Sequence, residues 1–271
     1  MQWTYGVTTC AQRIDNLLPK TLDSLAQAGF DKPRLFVDGI PGPIPLCYSG
    51  YEITFRNPKI GAYGNWILAL AELYIRDPLA DRFAVFQDDL IACKGLKEYL
   101  SKCPYPPKGY WNLYTFPSNQ KLAPPVDGWY ESNQFGRGAV GLVFNREAVT
   151  IILGDQTTIA KPQDQNLVNG VPRGTKSIDG AVVTAMHNHG FKEFVHNPSL
   201  LQHTGELSAI PNPPQPLAVS FPGESHDALE FLPCATTDSE TESDKPSQSQ
   251  GSLQSVSNGG SACRADAKSG V

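Results

Sequence analysis

Short apolar runs bounded by polar and turn residues alternate along this chain with segments whose apolar side chains recur three and four apart. These are the periods of strands and of one-sided helices. Trp3–Cys10 alternates large and small residues and predicts a strand, with Thr8, Thr9 and Arg13 at or beyond its end. Residues 16–28 carry Leu18, Leu22, Leu25 and Ala26 at helical spacing, with Pro19 tolerable in the first turn and Gly29 as a C-cap. Arg34–Asp38 predicts a second strand and residues 51–55 a third. Residues 64–76 give the clearest helix, with Trp66, Ile67, Leu70, Ala71, Tyr74 and Ile75 as its apolar face. The run Arg82–Gln87 is a strand that stops at two adjacent acids, Asp88 and Asp89.

The second half is looser. Leu96–Lys102 predicts a short helix and residues 110–116 a strand, followed by a polar loop through Trp129 and Tyr130. Residues 139–145 predict a strand, 146–153 a helix and 179–188 another helix. Residues 194–196 and 200–203 are short strand pieces. Strand–helix–strand alternation of this kind argues an α/β sheet with parallel neighbours, and such sheets bind ligands beyond the carboxyl ends of their strands. Thr8, Thr9, Asp38, Asp88 and Asp89 all fall at predicted strand carboxyl ends.

Composition divides the chain. Among its 271 residues, those after about Pro233 are Ser, Thr, Asp, Glu, Lys and Gly with few large apolar side chains, a composition that predicts a disordered tail over 234–271. The Pro-rich stretch over 211–233 reads as an extended linker or strap, which leaves residues 1–210 as one domain. The net charge of −5 and the scattered Lys and Arg argue against a nucleic-acid partner. No apolar run is long enough to span a bilayer and the first residues are not a signal peptide, so a cytoplasmic location is expected. The six cysteines form no C-x-x-C pair and read as reduced thiols.

Two acids at the end of a buried strand repel one another unless a positive charge sits beside them. A divalent cation is one remedy, and it in turn attracts phosphate oxygens. A solvated strand end or a helix cap is the alternative. With Thr8-Thr9-Cys10 and Arg13, Gly61-Ala62-Tyr63-Gly64-Asn65-Trp66, Phe86-Gln87-Asp88-Asp89, Phe135-Gly136-Arg137-Gly138, Ser177-Ile178-Asp179-Gly180 and Leu201-Gln202-His203-Thr204 in this order, the chain resembles a GT-A-fold glycosyltransferase over roughly residues 3–210. The last of these segments is similar to the corresponding stretch of N-acetylglucosaminyltransferase IV-like enzymes. Phe86-Gln87-Asp88-Asp89 is similar to a D-x-D metal motif, with Gln87 where many members carry an acid.

The resemblance implies a GT-A-like Rossmann-type domain with a mixed central sheet and a transferase that uses Mn²⁺ or Mg²⁺. It would move a hexosyl or N-acetylhexosaminyl unit from a nucleotide-sugar, UDP-linked, to a hydroxyl of a glycan or small acceptor. It implies Asp89 and His203 as metal ligands. Thr8, Thr9, Arg13, Asp38, Asn65, Asp88 and Arg137 would bind the nucleotide, and Asp179 would be the base of an inverting transfer. A third ligand of imidazole type favours Mn²⁺ over Mg²⁺. Each residue also has a plain role: Asp179 can cap its helix, Asn65 and Trp66 can serve capping and packing, and His203 can be a hydrogen-bonded structural histidine. Trp129 and Tyr130 can stack on a sugar or be ordinary exposed rings. His187 and His189, two apart, fall on different helix faces and read as surface residues rather than a metal pair. Two rivals remain open. One is a nucleotidyltransferase, disfavoured by the single glycine in Tyr5-Gly6-Val7-Thr8-Thr9. The other is a non-catalytic nucleotide- or carbohydrate-binding protein of the same fold.

Overall fold

A computed structural model of the chain describes residues 1–40, 42, 45–159, 167–168, 171–172, 177–204 and 216–233. The expected tail over 234–271, most of the loop at 159–176 and the first part of the Pro-rich stretch lie outside these residues. The elements run β1 (Trp3–Cys10), α1 (Leu17–Gln27), β2 (Arg34–Asp38), β3 (Ile53–Arg56), α2 (Gly61–Arg76), β4 (Arg82–Gln87), β5 (Leu90–Ala92), α3 (Leu96–Lys102) and β6 (Gly109–Asn112). They continue with α4 (Pro117–Gln120), β7 (Gly128–Glu131), β8 (Gly141–Phe144), α5 (Arg146–Gly154), α6 (Gln156–Ile159), β9 (Leu167–Val168), β10 (Val171–Pro172), α7 (Ile178–Asn188), β11 (Lys192–Asn197) and β12 (Leu201–His203).

Eight strands form one mixed sheet in the order β3-β2-β1-β4-β8-β6-β11-β7. β1 pairs in parallel with β2 and β4, whereas β8 runs against β4 and β6, and β7 against β11. This is a Rossmann-type α/β domain, as the strand–helix alternation predicts; where that alternation argues parallel neighbours throughout, β8 and β7 run against theirs and make the sheet mixed. Side chains alternate across the pleat into two cores. Val7, Leu35, Val37, Ala84 and Phe86 join Leu18, Leu22 and Leu25 of α1 and Leu96 and Leu100 of α3 on one face. Phe36, Phe83 and Val85 join Trp66 and Leu70 of α2, Val149 and Ile152 of α5, and Met186 of α7 on the other. Removing each such large side chain from water contributes roughly 1.5–3 kcal/mol. With helices on both faces, β1, β2 and β4 end in the same direction, and their carboxyl ends carry the candidate residues.

Three local expectations are corrected. The buried stripe of α2 is Trp66, Ala69, Leu70 and Leu73, while Ile75 is 74% exposed. The stripe is rotated because Asn65, buried at its edge, donates to the Phe36 carbonyl at 2.8 Å and fixes the helix against β2. The strand expected over 110–116 stops at Asn112, whose side-chain oxygen takes the Tyr114 N–H at 3.1 Å and turns the chain. The polar loop around Trp129 is instead strand β7. Its Trp129 ring stacks on Trp111 with centroids 4.7 Å apart, so this indole packs on the core instead of presenting a free sugar platform.

Residues 216–233 return to the domain. Gln202 and Ala218 exchange hydrogen bonds of 2.8 and 3.0 Å, and Lys94 and Ala228 join at 2.9 Å. The compact unit spans Met1–Pro233. No helix among the described residues is long and apolar enough to cross a membrane.

Candidate active site

The acids stand where β4 ends. Asp88 and Asp89 are both buried. Each of Asp88's oxygens has a donor: Arg13 Nη1 at 2.7 Å and the Thr9 hydroxyl at 2.5 Å. The same Arg13 nitrogen reaches Asp89 Oδ2 at 2.8 Å, and His203 Nε2 lies 3.1 Å from that oxygen. His203 arrives there because β12 pairs antiparallel with β5 in a register that sets it opposite Leu90, and the Thr204 N–H extends that pairing onto the Asp89 carbonyl at 2.9 Å.

Burial pushes the Asp88 carboxyl up, and the neighbouring Asp89 charge adds to this against the pull of Arg13 and Thr9. For Asp89 burial acts the same way, but the hydrogen bond and charge of His203, with Arg13, outweigh it and hold the carboxyl below its ordinary range. Arg13 is more firmly protonated than usual: burial opposes its charge, and the two carboxylates overcome that.

A second group assembles on the loop between β7 and β8. Gly136 and Gly138 take φ of +62° and +76°. A Cβ on Gly136 would collide with the Asp179 backbone, and one on Gly138 with the Tyr114 ring. This close approach lets the Gly138 N–H donate to Asp179 Oδ2 at 2.7 Å, while Asp179 Oδ1 takes the Gly180 N–H at 3.0 Å. Ser177, not Asp179, caps α7 through the Gly180 N–H; Asp179 lies in the first turn. The other side of the loop is bonded to Gln87, whose N–H donates to the Val140 carbonyl and whose amide donates to the Ala139 carbonyl, both at 2.8 Å. One loop therefore bridges Asp179 and the residue that precedes Asp88. Arg137 at its tip is exposed, with its guanidinium 5.9 Å over the Phe116 ring.

The other nominated residues hold the scaffold around this crevice. Thr8 donates to the Phe86 carbonyl at 3.2 Å. Asp38 accepts the Ile60 and Gly61 N–H groups at 2.8 and 3.0 Å and so caps α2. Asn65 takes Arg56 Nε at 3.1 Å besides its bond to β2. His187 is exposed, and His189, about half-exposed, lies 3.5 Å from Asp155.

Two participants escape a reading of the sequence alone. Asn112 donates to the Arg137 carbonyl at 3.0 Å and to Glu193 Oε1 at 3.1 Å, so it ties the site loop to β11. Glu193 is fully buried and also accepts from the Tyr110 hydroxyl at 3.1 Å. Burial raises its carboxyl above the ordinary range. No signal marks it in the sequence, where it follows Lys192 in a short polar–apolar run.

Among the described residues no three His, Cys, Asp or Glu side chains are grouped to hold a metal ion unaided. The donor set nevertheless suits a divalent ion that shares its shell with a ligand. Asp89 Oδ1 is buried without a hydrogen-bond partner, and an imidazole stands on the same carboxylate. A carboxylate and an imidazole are two ligands, and phosphate oxygens can complete the shell.

No protein-family model matches the chain, and no curated protein does. Among solved structures it is similar to GalNAc-T7, crystallised with UDP, GalNAc and Mn²⁺ (10% identity, 74% of this chain and 44% of that one, TM-score 0.43). It is also similar to the catalytic domain of Drosophila β1,4-galactosyltransferase 7 in complex with xylobiose (12% identity, 76% and 72%, TM-score 0.43). A third is the apo-form glycosyltransferase GlyE of Streptococcus pneumoniae TIGR4 (13% identity, 70% and 45%, TM-score 0.40). The chain spans less than half the length of GalNAc-T7 and of GlyE.

Proposed function

We propose that this protein is a metal-dependent GT-A-type glycosyltransferase that moves a sugar from a UDP-linked donor to a hydroxyl acceptor with inversion. The observation that carries this reading is the loop 136–140, bonded on one side to Gln87 and on the other to Asp179. It holds a cation-binding acid pair and a separate carboxylate in one frame beyond the strand ends, which is the equipment that inverting transfer needs. Thr9, Arg13 and Asp88 would engage the nucleotide, and Asp89 and His203 would hold the metal. When bound, that ion supplies charge neutralisation for the departing diphosphate. Asp179 would accept the proton of the acceptor hydroxyl as its oxygen bonds to the anomeric carbon and the bond from that carbon to phosphate breaks. Arg137, exposed beside Asp179, is free to meet phosphate or acceptor.

The test is thermal stability against a panel of nucleotides and nucleotide-sugars with and without Mn²⁺, since a ligand of the folded state raises Tm. A shift with UDP or a UDP-sugar that requires Mn²⁺ supports the reading. No shift with any nucleotide overturns it. Asp89→Ala should remove the Mn²⁺-dependent part of that shift. Asp179→Asn should keep donor binding and lose transfer by roughly 10²–10⁴-fold; retained transfer would reassign the base.

One observation favours a second reading, a nucleotide- or sugar-binding protein without activity. Both Asp179 oxygens already accept backbone N–H groups, so the side chain is engaged in holding the loop to the start of α7. Donor binding with neither transfer nor slow hydrolysis of the UDP-sugar would establish it.

A further inference from the structure

We propose that Asn112, anchored by Glu193, is a positioning residue for Asp179, and that it acts through one peptide unit, the one joining Arg137 to Gly138. The proposal rests on the transferase reading and adds to it the group that aims the proposed base. Asn112 Nδ2 donates to the Arg137 carbonyl at 3.0 Å, and the Gly138 N–H donates to Asp179 Oδ2 at 2.7 Å. That carbonyl and that N–H belong to the same planar peptide and point to opposite sides of it. Asn112 therefore grips one edge of the plane and Asp179 the other. Turning the plane over would set the Arg137 carbonyl against the Asp179 carboxylate, two acceptors with no proton between them.

The loop needs such a hold. Gly136 and Gly138 both have left-handed φ, and glycine restrains the peptides beside it less than any other residue. Asn112 is placed to supply the restraint. It is fully buried at the end of β6. The Tyr114 N–H, which can only donate, reaches its Oδ1 at 3.1 Å, and this fixes which end of the amide carries the hydrogens. The amide nitrogen also donates to Glu193 Oε1 at 3.1 Å. That oxygen accepts from the Tyr110 hydroxyl at 3.1 Å as well. β6 and β11 pair in parallel, with Tyr110 opposite Glu193 and Asn112 opposite Val195, so the sheet itself sets the amide beside the carboxyl.

The test uses the full chain labelled with ¹⁵N, because the Gly138 amide resonance reports its bond to Asp179. In Asn112→Ala that resonance is expected to move, and its exchange with solvent to quicken roughly tenfold or more. The second readout is Mn²⁺-dependent release of UDP from UDP-galactose, UDP-glucose and their N-acetylamino forms. Water then takes the place of the acceptor hydroxyl and gives its proton to Asp179. Asn112→Ala is expected to lower kcat on the order of 10–100-fold while KM for the UDP-sugar stays as in wild type. A Gly138 amide that does not move overturns the proposal, and so does one that moves beside an unchanged kcat. Changes spread over the whole spectrum, with KM rising as kcat falls, show a general loosening and overturn it too. If Asn112→Ala does not fold, Asn112→Leu combined with Glu193→Met serves. Replacing both partners by apolar groups of similar shape removes the hold without leaving a buried carboxyl unpaired, and the same outcomes decide. Wild type that releases no UDP overturns the transferase reading, and the Gly138 amide then decides by itself whether Asn112 orients the peptide.

Discussion

At the residue scale, the buried polar groups divide into those that are satisfied and those that are held at a cost. His196 is satisfied: its Nδ1 lies 2.7 Å from the Pro198 carbonyl, so that nitrogen carries the proton, and Nε2 accepts from the Tyr99 hydroxyl at 2.6 Å. Burial pushes its pKa down to about 4. The unfolded chain, with an ordinary histidine near 6.5, binds the proton more readily. The stability His196 contributes is therefore complete above pH 6.5 and is lost as pH falls toward 4, on the order of 3 kcal/mol in total. Denaturant titrations at pH 7 and 4.5 should show this loss in wild type and a smaller one in His196→Gln. Glu193 has the opposite sign, because burial raises its pKa. The stability it contributes is present at acid pH and lost as pH rises through the folded value. Glu193→Gln keeps an acceptor for Tyr110 and Asn112 without the charge, and it should raise Tm at pH 7 by a few degrees. A fall in Tm would show that the charge itself is needed.

At the element scale, the short connections between strand ends and helix starts position the site. Asp38 stands at the end of β2 and caps α2, so one residue sets the angle at which that helix leaves the sheet. Asp38→Ala should cost about 1 kcal/mol, read as a lower denaturation midpoint. The loop between β7 and β8 is more demanding. Gly138 has a left-handed φ and its missing Cβ makes room for Tyr114. Gly138→Ala should lose about 1–3 kcal/mol and shift the loop that holds Asp179, so Tm and transfer should fall together. A variant with full Tm and full transfer would show that the close approach is not needed.

At the scale of the whole molecule, the sheet carries two cores, and the compact unit closes at Pro233. Residues after it have a composition that buries little apolar surface. A chain ending at Pro233 should melt within a degree or two of the full chain, and a large drop in a calorimetric scan would contradict that reading.

Hydrophobic patterning by itself determined the α/β class and most of the elements. Alternation and helical spacing are local, and β1, β2, β4, α1 and α3 follow from them with little change. It also determined that Thr9, Asp38, Asp88 and Asp89 gather at strand ends, because a buried run must stop where acids begin. Only the tertiary structure decided which of these acids cap helices and which face a cation. Asp38 and Asp89 look alike in sequence, but one meets backbone N–H groups and the other meets Arg13 and His203, residues distant along the chain. The rotated face of α2, the strand at Trp129 and the buried Glu193 were equally beyond local reading. Each is set by long-range partners, namely Phe36 for Asn65, Trp111 for Trp129, and Tyr110 with Asn112 for Glu193. Side-chain periodicity reports only that a face is buried; what it is buried against depends on how the chain closes.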